Sequence, residues 1–405
     1  MDSEWSFSYF SFCSQVRKGV GPRASFTVDV KECTLQDWSS DMILDAFMSD
    51  KIGKALVKMP NLTKLSLLRM LITPTLLKAI RKLRNLESLS IEACTFKGVT
   101  VDHVQKLCSL KLKKLEIMST TRIPLDLGLA MDVLFEDLEE LRTDSWPFMD
   151  IVISISQNHP IPLRVLKLEP SIVPDVAFGR VCTFLRATST ITELKLLSEG
   201  FGCWSNLGSS ALPNLTKVQA TPYLLPLRDR PLQELHIYCW KNASDVDLRG
   251  FTPFPPKLDG RLLSVLSLLW RHLQDLELQK HFPRLETLTV SHVPLKFMPG
   301  DINFSSLSTP IEHPRLCNLN LRLQPYGPND ETGQTIFDRG IEWDLDAYHT
   351  GITGYILSKV KLPSLKRFEI SDARTVRRFL LAIDSTDISY VDRNNCIKSV
   401  LEWKY

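Results

Sequence analysis

Residues 86–96 read LESLSIEACTF, and this stretch decides the fold. Apolar side chains stand at Leu86, Leu89, Ile91 and Phe96, and the thiol of Cys94 lies between the last two. Leu89 and Ile91 alternate with polar neighbours, which is typical of a β-strand that is buried on one side. The stretch therefore predicts a strand followed by a tight turn at Cys94.

The same spacing, Leu-x-x-Leu-x-Leu, recurs eleven times along the chain. Its first apolar residues are Leu62, Leu86, Leu112, Leu138, Leu163, Ile191, Leu215, Leu232, Leu285, Leu316 and Leu365. The first seven are separated by 24 to 28 residues. A period of roughly 20–29 residues with this consensus is that of the leucine-rich repeat, in which asparagine or cysteine occupies the position of Cys94.

The segments between the strands carry helical patterns. In seven of the eleven units a proline comes just before the first leucine, where it ends a helix and favours extended backbone. Thr73 and Pro74 predict a helix start for an apolar face that continues to Leu83. Two further helices are predicted from the apolar sets Ala177, Val181, Phe184, Leu185 and Val376, Phe379, Leu380, Ile383.

A unit of strand, turn and helix cannot bury its own apolar face, so the units must stack. The predicted fold class is α/β, a leucine-rich-repeat solenoid: a curved right-handed array with parallel strands on its concave face and helices on its convex face. Residues 1–25 are predicted to be an N-terminal tail. Residues 26–405 are predicted to form the solenoid of about 12 irregular units.

An opening unit is expected to place its strand at Phe26–Val30, ahead of the first full motif. The regular period then fails in three places. Residues 198–212 are Gly/Ser-rich where a helix is expected, which predicts a loop. A degenerate unit is expected around Leu273, Leu276 and Leu278. The polar stretch Gln324–Asp338 predicts a long loop.

Charge and hydropathy exclude two classes of partner. Basic and acidic residues number 49 and 46, a net charge of +3, so the chain lacks the basic excess of a nucleic-acid-binding protein. The longest apolar run, Leu262–Trp270, is far shorter than the roughly 20 residues of a membrane span. We expect neither nucleic acid nor membrane as a partner.

The N-terminus and the cysteines indicate an intracellular protein. Asp2 and Glu4 precede an aromatic and serine-rich stretch, where a signal peptide requires positive charge and then aliphatic residues. The nine cysteines are scattered and include no Cys-x-x-Cys pair, which is typical of reduced, buried thiols. A cytoplasmic or nuclear location is the expectation.

Side chains between the repeated leucines are expected on the concave face, because side chains alternate along a strand. Their mixed charge and scattered apolar members suit a protein partner. The candidate partner-binding residues are Glu92, Glu116, Arg142, Asp144, Lys167, Glu169, His236, Tyr238 and Arg322. The alternative is a solvated strand face with local ion pairs. Trp146 and Trp240 fall in the register of Cys94, which favours buried turn packing over a binding anchor.

The sequence holds no motif for catalysis, a metal or a cofactor. The eight histidines include no His-x-x-x-His pair, and no phosphate loop, dinucleotide-binding glycine motif or Gly-x-Ser-x-Gly turn is present. We therefore expect neither enzymatic activity nor a cofactor.

The degenerate 24–28-residue units, with charged residues between the leucines and few consensus asparagines, resemble the repeat region of fungal F-box proteins over residues 26–405. The resemblance implies a substrate-recognition subunit of a cullin-RING ubiquitin ligase, whose F-box binds a Skp adaptor while the repeats bind the target. Residues 1–60 lack the Leu-Pro-x-Glu-Leu opening of an F-box. The chain is therefore expected to be either a shortened relative or a free-standing repeat scaffold.

Overall fold

The computed structural model places two compact units, Met1–Asn214 and Leu215–Tyr405. The residues that it describes are 29–36, 51–100, 102–103, 110–119, 135–169, 175–197, 207–208, 210–220, 230–237, 260–269, 273, 276–293, 296–298, 301–303, 311–323, 362–371, 376–381, 387–391 and 397–402. The predicted tail, residues 1–25, and the predicted loop, residues 324–338, lie outside these ranges. The predicted boundary between tail and solenoid stays a prediction.

The first unit contains a parallel sheet with the predicted period. Its strands are β1 (Glu32–Gln36), β2 (Lys64–Leu68), β3 (Leu71–Ile72), β4 (Ser88–Glu92), β5 (Thr95–Phe96), β6 (Lys114–Met118), β7 (Glu140–Thr143), β8 (Val165–Leu168) and β9 (Glu193–Leu196). Strands β3 and β5 pair with each other. Among the described residues, the other seven lie side by side in chain order, all parallel.

Register and burial show why this sequence forms that sheet. Leu65 pairs with Leu89, and Leu89 pairs with Leu115, so equivalent leucines form a column on one side of the sheet. Leu89 and Ile91 are fully buried. Burial of each such side chain contributes roughly 1.5–3 kcal/mol. All six strands predicted for this unit are confirmed, and each begins two residues after its first apolar residue.

Cys94 occupies the buried turn, as predicted. Its side chain is 0% exposed, and its Sγ accepts a hydrogen bond from the backbone N–H of Met70 at 3.4 Å. The thiol in turn lies 3.4 Å from the carbonyl of Leu67 and 3.3 Å from that of Glu92. Burial raises the pKa of Cys94 to about 11, so the thiol stays protonated. The cysteine therefore links two successive turns of the array.

The residue after each of three successive strands adopts a left-handed backbone. Arg69, Ala93 and Ser119 have φ of 52°, 52° and 50°. The N–H of Arg69 donates to the carbonyl of Glu92 at 2.9 Å, and that of Ala93 donates to Met118 at 2.8 Å. These bonds extend the ladder beyond the strands and offset the cost of roughly 1–2 kcal/mol for a non-glycine residue in this conformation.

Helices follow some of these strands: α1 (Pro74–Ile80), α2 (Trp146–Asn158) and α3 (Asp175–Ala187). Thr73 caps α1 as predicted, because its Oγ1 accepts a hydrogen bond from the N–H of Leu76 at 3.3 Å. The helix predicted around Val181 is α3, where Val181, Phe184 and Leu185 are buried. Arg180 of α3 joins the two longer helices through an ion pair with Asp150 of α2 at 2.8 Å.

Trp146 is not in a buried turn, so that prediction is wrong. Ser145 caps α2 through its Oγ, and Trp146 is the first residue of the helix, half-buried. Ser145, Trp146 and Pro147 start α2 directly after β7. In the unit that contains β4, the position equivalent to Trp146 is the buried turn residue Cys94. Trp240 lies outside the described residues.

The second unit repeats the same arrangement and then changes it. Its strands are β10 (Lys217–Ala220), β11 (Glu234–Ile237), β12 (Val265–Leu269), β13 (Thr287–Val293), β14 (Lys296–Met298), β15 (Asp301–Asn303), β16 (Asn318–Leu323), β17 (Arg367–Ser371), β18 (Val376–Leu381), β19 (Asp387–Val391) and β20 (Ile397–Glu402). Strands β10, β11, β12, β13, β16 and β17 are parallel neighbours in that order. The five strands predicted here are confirmed, and both units are leucine-rich-repeat arrays of the α/β class.

The degenerate unit lies elsewhere than predicted. Its strand is β12, introduced by Leu263-x-x-Leu266-x-Leu268, and all three leucines are fully buried. Leu278, which was expected in the strand motif, begins the one-turn helix α4 (Leu278–His281). Leu273 is also buried, and it lies in the segment between β12 and β13.

The helix predicted from Val376 is wrong, because Val376–Leu381 is strand β18. It pairs antiparallel with β17, and Phe379 lies opposite Phe368. Strands β19 and β20 continue the antiparallel pairing. The apolar spacing of Val376 and Phe379 fits a helical period, but β-branched and aromatic residues also favour strands, and the backbone of this segment pairs with β17.

The opening strand lies later than predicted. Asp29 and Val30 are not in a strand, and residues 26–28 lie outside the described ranges. Strand β1 begins at Glu32, with Val30, Cys33 and Leu35 as the motif positions. The carbonyl of Lys31 accepts hydrogen bonds from two N–H groups at the start of the next unit, which fixes this register.

A buried side chain lies two or three residues before the first leucine of most units. The described examples include Met59, Leu83, Phe135, Ile161, Leu212 and Phe282. In the unit that contains β16 this position is His313, which is 1% exposed. Its Nε2 lies 3.0 Å from the carbonyl of Phe282, and its Nδ1 accepts from the N–H of Arg315 at 3.2 Å. Both ring nitrogens of a neutral histidine are therefore satisfied in the core.

Candidate partner-binding face

The outer face of the first unit is the side of its sheet opposite the buried leucines. Two columns of side chains lie on it. The central column, four residues after each first apolar residue, is Thr34, Ser66, Ser90, Glu116, Arg142, Lys167 and Lys195. The second column, two residues further on, is Gln36, Leu68, Glu92, Met118, Asp144, Glu169 and Leu197.

Arg142 is the centre of an ion-pair network on this face. Its Nη1 donates to Oε1 of Glu116 at 2.6 Å, and its Nε donates to Oε1 of Glu169 at 2.9 Å. Lys195 Nζ lies 2.8 Å from the same oxygen of Glu169. Glu116, Glu169 and Lys195 are only 14%, 15% and 18% exposed, so water screens these pairs less than pairs at an open surface.

The electrostatics follow from these contacts. Burial alone would raise the pKa of Glu169, but hydrogen bonds and charge from Arg142 and Lys195 outweigh it, so that pKa lies below its ordinary value. Burial acts in the opposite direction on Arg142, whose pKa is nevertheless raised by Glu169 and Glu116. Arg142 and Glu169 therefore hold each other ionised.

Two further candidates on this face are held by intramolecular contacts. Oδ2 of Asp144 accepts hydrogen bonds from the backbone N–H and the hydroxyl of Ser119, at 2.6 and 3.2 Å. The N–H groups of Arg69 and Ala93 donate to backbone carbonyls of the next strand, whereas that of Ser119 donates to the Asp144 carboxylate. The difference arises because β7 is one residue shorter than β2, β4 and β6. Lys167 Nζ lies 3.2 Å from Glu193. Both residues therefore stabilise the array.

Glu92 differs from these residues. Its side chain is exposed, and it forms no hydrogen bond or ion pair with any residue that the structure describes. The register places it between Leu68 and Met118 in the second column. Its carboxylate is available to a partner in a way that those of Glu116, Asp144 and Glu169 are not.

In the second unit, His236 and Arg322 lie on strands β11 and β16 respectively. His236 Nε2 is 3.6 Å from Glu234, yet burial dominates and lowers the pKa of His236 below its ordinary value. Arg322 is exposed and makes no hydrogen bond or ion pair within the described part of the chain. Tyr238 lies outside the described residues.

The structure thus groups Glu116, Arg142, Lys167 and Glu169 in one charged zone of the first unit. Sequence reasoning missed Lys195 and Glu193 as members of that zone. The strand register could have identified them, because aligning β8 with β9 places Lys167 beside Lys195 and close to Glu193. The diagonal contact of Arg142 with Glu169, between the two columns, has no counterpart in the sequence pattern.

Two kinds of feature are absent from the described residues. No group of three or more His, Cys, Asp or Glu side chains there could hold a metal ion. Likewise, no helix in the described ranges has the length and hydropathy needed to cross a membrane.

Comparison with known proteins supports no conclusion about the fold or the function. No protein-family model and no curated protein matches the chain. Among solved structures, an internalin from Listeria monocytogenes is similar over 90% of each chain, with 11% sequence identity and a TM-score of 0.27. Similarity at that level supports no argument about either the fold or the function. The fold class rests instead on the strand register and on the buried leucine columns.

Proposed function

We propose that this chain is a protein-binding repeat protein and that the outer face of its first unit receives the partner. The observation that carries the proposal is the fixed geometry of that face. Fully buried leucines such as Leu89 pack on the opposite side of the sheet and fix the strands. Ion pairs fix charged side chains such as Arg142 and Glu169 on the outer face. Side chains that are already ordered lose little entropy when they bind.

The composition of the face also favours a protein over other ligands. Leu68 is half-buried and lies among charged and hydroxyl side chains, a mixture that is typical of protein interfaces. The cations Arg142, Lys167 and Lys195 are neutralised by glutamates, so they offer no stripe of free positive charge for a polyanion. We propose no enzymatic activity for the chain.

A narrower version of the proposal comes from the resemblance to F-box proteins. In that version the repeats select a target for a cullin-RING ubiquitin ligase in the cytoplasm or nucleus, and a Skp adaptor binds the same polypeptide. Its support is the repeat period and the sparse asparagines. Stable co-purification with a co-expressed Skp adaptor would support it. If the adaptor does not co-purify, the free-standing scaffold version replaces it.

Affinity capture with matched variants tests the broader proposal. Wild-type protein, Ser90→Arg and Lys78→Ala are used as baits in extracts of the source cells, and the captured proteins are quantified by mass spectrometry. Ser90 lies on the outer face, whereas Lys78 is exposed on α1. A partner retained by Lys78→Ala and lost from Ser90→Arg supports the proposal. Partners that Ser90→Arg retains in full contradict it, provided that both variants melt like the wild type.

A further inference from the structure

The part of the outer face around Glu92 has an uncompensated negative charge. Glu116 is neutralised by Arg142, and Glu169 is neutralised by Arg142 and Lys195. No described residue neutralises Glu92, and its neighbours in the two columns, Leu68, Met118, Ser66 and Ser90, carry no charge.

The shape of this part follows from the residues beside Glu92. Ser66 and Ser90 pair in register in the central column, and their short side chains lie next to the longer ones of Leu68 and Glu92. Glu116 continues the central column on the next strand. Adjacent strands lie roughly 4.8 Å apart, so the two short serine side chains leave a shallow depression beside half-buried Leu68 and the exposed carboxylate of Glu92. Met118, on the other side of Glu92, is 8% exposed and offers little surface there.

From this arrangement we propose that the depression receives a lysine or arginine side chain from a basic segment of the protein partner. This inference rests on the proposed function and specifies the partner's chemistry. A long basic side chain has an aliphatic stem and a charged head. The stem packs against Leu68 across the two serines, and the head pairs with Glu92. An acidic segment would meet an unpaired carboxylate there and be repelled.

The net charge of the chain favours recognition of a basic segment at one specific site over long-range attraction. With a formal net charge of +3, the protein does not attract cations at long range. A basic ligand that binds must therefore find a specific negative site. Salt is expected to weaken binding, because Glu92 is exposed to the solvent.

Fluorescence anisotropy tests the proposal with two labelled 12-residue peptides, one that repeats Leu-Arg-Ser and one that repeats Leu-Glu-Ser. We expect the basic peptide alone to bind. Glu92→Gln should weaken its binding about five-fold and Glu92→Arg more than ten-fold, as for a partly screened ion pair. Glu87→Gln is the control, since it removes the same charge from a glutamate that already pairs with Lys113.

Each result supports or overturns the proposal. Equal weakening by Glu87→Gln and Glu92→Gln would show a general charge effect and overturn it. So would equal binding of the acidic peptide, or no binding of the basic one. A partner captured through the outer face that is insensitive to Glu92→Arg would leave the proposed function standing and refute this inference alone.

Discussion

The structure sets the size of the loss in the free energy of unfolding that we expect when Leu89 is replaced with alanine. Leu89 is 0% exposed and lies in register between Leu65 and Leu115. The change removes three buried carbon groups at about 0.8 kcal/mol each, and the remaining cavity raises the total to about 3 kcal/mol. Ser90→Ala, one residue away on the opposite side of the strand, is expected to change stability by less than about 0.5 kcal/mol.

Hydrogen exchange measured by mass spectrometry is the assay, because it reports each unit separately. Opening that costs about 3 kcal/mol less is about a hundred-fold more frequent. Amides of β2, β4 and β6 should therefore exchange about a hundred-fold faster in Leu89→Ala, since each unit is stabilised by its neighbours. Equal exchange in Leu89→Ala and Ser90→Ala would refute the assigned direction of these side chains.

Three further predictions follow from named contacts. Arg142→Leu leaves two carboxylates of low exposure without their shared cation, so urea denaturation should show a loss of about 1–2 kcal/mol in the free energy of unfolding. The control is Lys64→Leu, at an ion pair that is 60% and 66% exposed, which should cost under about 1 kcal/mol. Burial lowers the pKa of His313 in the folded protein below its ordinary 6.5, so between these two values the unfolded chain binds more protons and stability falls as the pH falls. His313→Phe should reduce this dependence in melts from pH 7.5 to 5, and His236, whose pKa burial also lowers, accounts for part of the remainder. Cys94, whose pKa is raised to about 11, should resist alkylation by iodoacetamide at pH 8 in the native protein and react in urea, and modification of the native thiol would contradict its buried position.

The strands were predictable because their signal is local and periodic. Leu86, Leu89 and Ile91 mark both the strand and the side it buries, and ten more copies repeat the information at similar spacing. The same signal was present at Leu263, Leu266 and Leu268, 31 residues after Leu232. It was missed because adjacent serines and leucines made that stretch look like a plain apolar run.

Contacts between distant residues were harder to predict. Val376 and Phe379 fit a helical period equally well, and their pairing with β17 decides in favour of a strand. Within the candidate site, the period places Arg142 and Glu169 on the outer face. Which of the neighbouring charges pair depends on side-chain reach across two strands, as in the 2.9 Å contact between Nε of Arg142 and Glu169. The unpaired state of Glu92 therefore emerged only from the structure.

Site-specific photo-crosslinking in the source cells tests the central claim most directly. A benzophenone amino acid is placed at position 90, on the outer face of the first unit, or at position 78, on the exposed side of α1. The outer-face account predicts a discrete crosslinked protein from position 90 and none from position 78. Crosslinking from position 78 but not from position 90 would contradict it.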